Sequence, residues 1–556
     1  MDFDERYRND VIQYAIEKYG QDRVAHIVTF ATIKAKQAIR DAARVLGLPF
    51  SSGDRVAKLM PPMILGNTAT ISECLSLDEE NTSGYSKEFY SASEELRKQY
   101  KNDEEAKQII DIALGLEGLR RQDGIHAAAI VISPDTITKF LPIQQKGSNA
   151  EIVTQYEMHT VEQLGLLKMD FLGLRNLSIV DRTLELIGSE SLDIDNLKLD
   201  DEKTFKLFAE GKMTGVFQLE SRVAQSTSRS LKPKRFEDIV ALVALIRPGP
   251  LGAGMHNEFA DRANNRKEIE YLHSDLESIL NETYGVILYQ EQVMQIAEKI
   301  AGFNLQEADN LRVAMGKKIP KVMEEQRKKF TDGAVSNNYS EQFAIELFDQ
   351  IAYFAGYGFN KSHSVPYALL AYQTAYLKAN YPAEYIAACL TAVKRDKDRT
   401  AIFLSEARDM GVKVSTPDVN LSSSDFTVND NEILFGLSAV RNVGDITADK
   451  IVFERESNGD FKSIEEFLSR IDSRSLNKRG VEALIQGGGL DKFGHTRKGM
   501  FDAVIDLIEN AKELKATKEN NQASLFPIEE ANSTSINIKS AEWDKKELLE
   551  LSLIHI

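Results

Sequence analysis

The sequence predicts an α+β chain of several domains. Three observations lead there. Short β-branched runs bounded by glycine and proline gather in the first third, and helix-spaced apolar residues dominate from about 200 to 410. The 556 residues exceed what one core organises, and a prior of about 150 residues per domain gives three or four.

Taken in order, Val11, Ile12, Ala15, Ile16 and Tyr19 recur at helical spacing, which predicts a helix over 10–19. Residues 27–30 read as a short strand or buried turn, followed by a helix over 33–46 that stops at Gly47. Residues 60–105 are polar and interrupted by Pro61, Pro62, Gly66 and Gly84, as in a peripheral lobe with loops. Residues 127–133, small and β-branched between Gly124 and Pro134, predict a buried strand. Further strands are expected over 152–156 and within 163–174, then a helix over 176–187. The helical region is punctuated by Arg247-Pro248-Gly249-Pro250 and Ala355-Gly356-Tyr357-Gly358, and Thr416-Pro417-Asp418 is a turn that opens another unit. Two helix-hairpin patterns follow, and residues 511–540, rich in Lys, Glu, Asn and Ser, read as a flexible tail.

Composition narrows the function classes. Hydrophobic residues are 42% and charged residues 28%, as in proteins with real cores. No apolar run approaches the roughly 20 residues of a membrane span, and the acidic start predicts no signal peptide. Cys74 and Cys389 stand far apart and outside any CxxC pattern, which argues against a disulfide framework or cysteine-built zinc site and fits a reducing cytoplasm. The net charge of −17 does not exclude nucleic acid, because phosphate contact needs only local positive strips. Candidate strips are Lys34/Lys36/Arg40, Lys232/Lys234/Arg235, Lys317/Lys318/Lys321 and Arg474/Lys478/Arg479, with Arg497 and Lys498 beyond; each is also what a solvated helix face looks like.

Chemistry points first to Lys168-Met169-Asp170-Phe171-Leu172. In a strand, Lys168 and Asp170 share one face and Met169 and Phe171 the other, so an isolated carboxylate stands amid apolar flanks. The alternative is an aspartate at a strand end, paired to a lysine. Asp2-Phe3-Asp4 is a second carboxylate site, since transfer of phosphoryl groups by two Mg²⁺ ions needs hard oxygen ligands from neighbouring strands. Taken alone, an acidic start is more often a frayed terminus.

Longer segments then resemble a known family. Ile27-Val28-Thr29-Phe30-Ala31-Thr32-Ile33-Lys34-Ala35-Lys36, Gly124-Ile125-His126-Ala127-Ala128 and Lys168-Met169-Asp170-Phe171-Leu172-Gly173-Leu174-Arg175 come first. Gly215-Val216-Phe217-Gln218-Leu219-Glu220-Ser221, Arg247-Pro248-Gly249-Pro250-Leu251 and Tyr284-Gly285-Val286-Ile287-Leu288-Tyr289-Gln290-Glu291-Gln292 follow. Ala314-Met315-Gly316-Lys317-Lys318, Tyr357-Gly358-Phe359-Asn360-Lys361-Ser362-His363-Ser364 and Tyr381-Pro382-Ala383-Glu384-Tyr385 complete the series. In this order and spacing they resemble the bacterial DNA polymerase III alpha subunits, the C-family replicative polymerases, over nearly the whole chain.

The resemblance implies a partial palm of the polymerase-beta-like nucleotidyltransferase type at 1–30 and 116–178, with a thumb at 31–115 between them. It further implies large helical fingers at 179–415, a tandem helix-hairpin-helix and clamp-binding region at 416–535, and a truncated tail at 536–556. The implied activity is that of a DNA-directed DNA polymerase in chromosomal replication: the primer 3′-hydroxyl attacks the alpha-phosphate of a dNTP and releases pyrophosphate, with two Mg²⁺ ions as cofactor.

Of three family aspartates, Asp2 falls at the second and Asp170 at the third, while Asp4 falls where the family varies. The first is expected upstream of Met1, together with the glycine-serine loop of the palm and a phosphatase-like domain. The numbering is thus expected to start inside a longer protein, and the closing Leu551-Ser552-Leu553-Ile554-His555-Ile556 to be a truncation scar.

Asp2 and Asp170 are the implied metal ligands, and Lys168 neutralises phosphate charge beside them. Arg247, Arg312, Lys317, Lys318, Lys361 and His363 are the implied contacts to triphosphate or DNA, with Lys34 and Lys36 also on DNA. Val313 stands where the family often shows a second arginine. Leu437-Ser438-Ala439-Val440-Arg441-Asn442-Val443-Gly444 resembles a helix-hairpin-helix, whose backbone N–H groups at Asn442 and Gly444 grip a phosphate without reading bases. Asn442 replaces the usual first glycine and tolerates left-handed geometry. A second hairpin is expected at 484–494. Gln522-Ala523-Ser524-Leu525-Phe526 looks like the sliding-clamp pentapeptide, with Gln522, Leu525 and Phe526 as its anchors.

The implied partners are primer-template DNA, dNTPs, the sliding clamp (beta subunit) and other replicase subunits, with no membrane. With two aspartates, the chain as it stands is expected to incorporate no nucleotide. The alternative is a non-catalytic DNA- and clamp-binding module; a carboxylate-metal nuclease is a third reading that no residue specifically favours.

Overall fold

The computed structural model describes the chain except for residues 64–66, 77–83, 147–150, 189–191, 318–319, 356–357, 473, 523–535, 537 and 556. It is a mixed α+β structure in two compact units. The first takes Met1–Leu177 with Arg247–Ala253, and the second takes Ser178–Ile246 with Gly254–Ile556.

The first unit is built on strands β1 (Asp2–Asp4), β2 (Val24–Thr32), β3 (Arg120–Ile132), β4 (Ile143–Lys146), β5 (Glu151–Thr154), β6 (Leu167–Asp170) and β7 (Leu172–Leu174). Five of them form a mixed sheet in the order β4-β5-β2-β3-β6, and β1 pairs with β7 in parallel. The alternation of side chains supplies both faces. Val24 and Ile130 join Ile12 and Ala15 of the helix Arg8–Tyr19 on one face. Ala25, Ile27, Ala129 and Val131 pack with Ile137, Leu141, Val161 and Leu166 on the other.

A helical lobe is inserted between β2 and β3. Its core combines Ala38, Ile39 and Ala42 of Ala35–Val45 with Ile109, Ile110 and Ala113 of Glu104–Leu116. The polar stretch read as a peripheral lobe with loops contributes helices Ile71–Leu75, Gly84–Ala92 and Glu94–Asn102, because Phe89 and Leu96 bury in that core. Cys74 lies there too, its thiol pushed up to about 11 chiefly by burial.

The second unit is mostly helical. Lys378 is fully buried in the helix Lys361–Asn380; its Nζ donates to the carbonyls of Lys212 and Thr214 and sits 2.7 Å from Glu406. A buried cation is retained only when paired in this way, and this one ties the loop after Gly211 to that helix. Strands Lys413–Val414, Thr427–Asn429 and Glu432–Leu434 form a small sheet ahead of the hairpin region.

The tail differs from expectation. The helix Val504–Gln522 takes up residues 511–522 of the stretch read as flexible, because Lys, Glu and Ala there are good helix formers and Ala511 is buried. Beyond residue 537 the chain returns to this unit: Thr496 Oγ1 donates to the carbonyls of Lys539 and Ala541, and Glu542 accepts from the N–H groups of Arg497 and Lys498. No described helix is long and apolar enough to cross a membrane.

Candidate active site and nucleic-acid interface

The strand β6–β7 carries the expected lysine and aspartate. Phe171 N–H donates to the Ala128 carbonyl on one side, while on the other the Met1 amine donates to Asp170 O and Leu172 N–H to Met1 O, both at 2.9 Å. Residues 2 and 170 are therefore brought to adjacent strands, with Asp2 opposite Leu172. Phe3, Met169 and Phe171 share the core with Ile12 and Ile130, and the Phe3 and Phe171 rings meet edge-to-face at 5.6 Å. Alternation then sends Asp2, Lys168 and Asp170 to the opposite face, as the sequence pattern implied.

On that face Lys168 Nζ donates to Asp170 Oδ2 at 2.9 Å and lies 3.8 Å from Glu162 Oε1. The Lys168 side chain is only 16% exposed and Asp170 48%, so the lysine is held while the carboxylate stays open to a ligand. Asp4 is bound by Arg6, whose Nε and Nη2 both reach its carboxylate. Among the described residues no group of three or more His, Cys, Asp or Glu side chains is arranged around a metal position.

Sequence reasoning gave His126 no role. Between the pairs His26–Ile130 and Val28–Ile125, β3 carries several extra residues against β2. The His126 Nδ1 accepts from the N–H groups of Ala128 and Ala129 and stitches that bulge, directly beside the Ala129–Asp170 pair. The quoted Gly124–Ala128 block was the available signal.

The expected cations are more dispersed. Lys34 and Lys36 are exposed at the start of the helix Ala35–Val45. Arg247, also exposed, precedes the short helix Pro248–Gly252, in the segment that groups with the first unit. In the second unit Arg312 Nε pairs with Asp309 at 2.8 Å. Lys317 ends the helix Leu305–Lys317, and Lys318 lies outside the described residues.

Lys361 and His363 open the helix Lys361–Asn380, capped by the Asn360 side chain and by Glu291, which accepts from Lys361 N–H. Lys361 Nζ is 2.7 Å from Glu282, and the His363 ring packs on Phe359 and Tyr367. The sequence reading gave neither Lys361 its carboxylate partner Glu282 nor this helix its cap Glu291. Glu291 stood within a quoted block.

The hairpin follows the one-turn helix Leu437–Ala439 and leads into the helix Asp445–Asn458. Asn442 adopts φ +62°, the left-handed conformation expected of it. A Cβ on Gly444 would meet nothing within 4 Å, and the N–H groups of Gly444, Asp445 and Ile446 meet no acceptor among the described residues. Such orphan donors at a helix start suit an anion. The Asn442 carbonyl lies 3.2 Å from where a Cβ on Gly480 would stand, so the hairpin rests against the first turn of the helix Lys478–Gly487. Lys478 and Arg479 are exposed on that turn. At the second hairpin, Gly488 and Gly494 take positive φ before the helix Arg497–Asp502. Gln522 is the last residue of its helix, and Leu525 and Phe526 lie outside the described residues.

Residues 1–173 match the family model of the bacterial DNA polymerase III alpha NTPase domain, and 176–338 that of the alpha subunit finger domain. The chain belongs to the bacterial DNA polymerase III alpha subunit family. A helix-hairpin-helix model matches residues 411–500, spanning both hairpins. The DNA polymerase III subunit alpha of Mycobacterium tuberculosis is 40% identical over 566 residues, which is 99% of this chain and 47% of the relative. That of Thermus aquaticus is 43% identical over 534 residues (94% and 42%), and that of Escherichia coli K12 40% over 541 (95% and 45%). The chain thus spans about half the length of the curated relatives it matches.

Proposed function

We propose that this chain carries the nucleotidyl-transfer centre of a replicative DNA polymerase that extends a primer on a DNA template. In this reading residues 1–30 and 116–178 are palm, 31–115 thumb, 179–415 fingers and 416–535 the DNA- and clamp-binding region. The observation that carries it is the backbone pairing that sets the strand of Asp2 beside the segment of Asp170, with Lys168 bonded to Asp170.

The donor set fits magnesium in kind. Mg²⁺ prefers hard oxygens and is commonly held by one or two carboxylates, with substrate phosphates and water completing the shell. Asp2 and Asp170 would hold it, and two such ions, when bound, supply activation of the primer hydroxyl and charge stabilisation at the transferring phosphate. Lys168 orients Asp170 and offsets phosphate charge.

Arg247, Arg312, Lys317, Lys318, Lys361 and His363 serve triphosphate and DNA, Lys361 exchanging Glu282 for a phosphate oxygen. Lys34 and Lys36 contact the duplex, and Asn442 and Gly444 grip a backbone phosphate without reading sequence. Gln522, Leu525 and Phe526 serve the sliding clamp. Primer-template, dNTPs and further replicase subunits are the partners, and the cytoplasm is the compartment.

The test is template-directed complex formation, which needs no turnover. With Mg²⁺ present, the dNTP complementary to the next template base should tighten binding of a labelled primer-template, and the other three should not. Asp170→Asn should abolish the discrimination. Equal effects of all four dNTPs, or the same effect without Mg²⁺, would sink the reading.

A further inference from the structure

Lys394, which follows the helix Pro382–Val393, was singled out by no motif. Its Nζ donates to Asp425 Oδ1 at 2.6 Å, Asp445 Oδ1 at 2.6 Å and Ser438 Oγ at 2.9 Å, so all three ammonium protons are committed. The side chain is 17% exposed, which limits solvent screening. Arg395 also reaches Asp445, but its side chain is 83% exposed and its charge correspondingly screened.

Asp445 is the first residue of the helix Asp445–Asn458, directly after Gly444. Its hydrogen bond from Lys394 comes first in holding its carboxyl below the usual carboxylate range. Burial alone would lower the Lys394 ammonium, yet its bonds to Asp425 and Asp445 outweigh burial and raise it. A bare carboxylate at this place would stand a few ångströms from any phosphate gripped at Gly444. An opposing unit charge at that range weakens binding by about threefold in bulk water and about a hundredfold in a partly buried setting.

We propose that Lys394 is a positioning residue for DNA binding: it cancels the negative charge of Asp445 beside the first hairpin and pins Ser438 and Asp445 to the helical body. The inference rests on the reading of that hairpin as a phosphate grip. It adds a residue outside the hairpin that sets the hairpin's electrostatics.

The test is anisotropy titration of a labelled duplex with the full chain, at about 50 and about 200 mM salt. Lys394→Met should weaken binding about tenfold at the lower salt, and the deficit should shrink at the higher salt because the repulsion is screened. Asp445→Asn alone should tighten binding about threefold, and the double variant K394M/D445N should return close to the unsubstituted chain. A purely structural role would give a deficit that neither salt nor D445N relieves, and that result overturns the proposal, as does unchanged binding by K394M. Should K394M fail to fold by circular dichroism, D445N decides: tighter binding supports the proposal and unchanged binding overturns it. Absence of binding by the unsubstituted chain would remove the hairpin reading, and the inference with it.

Discussion

On the proposed function, the carboxylate face in the first unit and the hairpin in the second would handle phosphate by opposite means. At Asp2, Lys168 and Asp170 the backbone is ordinary strand and the side chains carry the chemistry. At Asn442 to Ile446 the backbone carries it through N–H groups, and side chains matter only for the φ they allow and the charge they leave nearby. The difference teaches where each region is vulnerable: the first to an isosteric change of charge, the second to a change of backbone conformation.

The largest expected effect breaks the first region alone. Asp170→Asn preserves shape but removes a hard anionic ligand, so Mn²⁺ affinity by titration should fall at least about a hundredfold. If duplex affinity fell equally, the division of roles between the two regions would not hold.

The converse test is Asn442→Val. A β-branched residue at φ +62° should cost about 1–2 kcal/mol in denaturant unfolding and weaken duplex binding. Asn442→Gly should leave both within about 0.5 kcal/mol, since glycine adopts that conformation freely. Equal losses from both variants would show that the amide, not the backbone, matters.

The smallest effect sharpens the comparison on the sheet side. His26 in β2 has a buried Nδ1 with no hydrogen-bond partner among the described residues, and burial lowers its pKa. The unfolded chain therefore takes up a proton at higher pH than the folded one. This contribution is fully present above the ordinary imidazole range and is lost as pH falls through the lower folded value. Denaturation midpoints should drop from pH 7 to 5, and His26→Leu should flatten the slope.

Much of the fold was legible because its signals are local. Period-two alternation at Lys168–Phe171 foretold which side chains share a face, and the helix over 10–19 followed from apolar spacing. The lobe at 60–105 was legible but its helices were not, and residues 511–522 read as flexible tail, because polar composition hid helices whose few apolar residues, Phe89, Leu96 and Ala511, are buried.

The sequence alone thus determined the α+β class and the left-handed turn at Asn442, since these depend on steric and periodic rules acting over a few residues. Only the tertiary structure decided that residue 1 lies beside residue 170, that Glu282 holds Lys361, and that Lys394 faces Asp445. Those neighbours are set by how whole elements bury their apolar faces, a global balance that no short window of sequence contains.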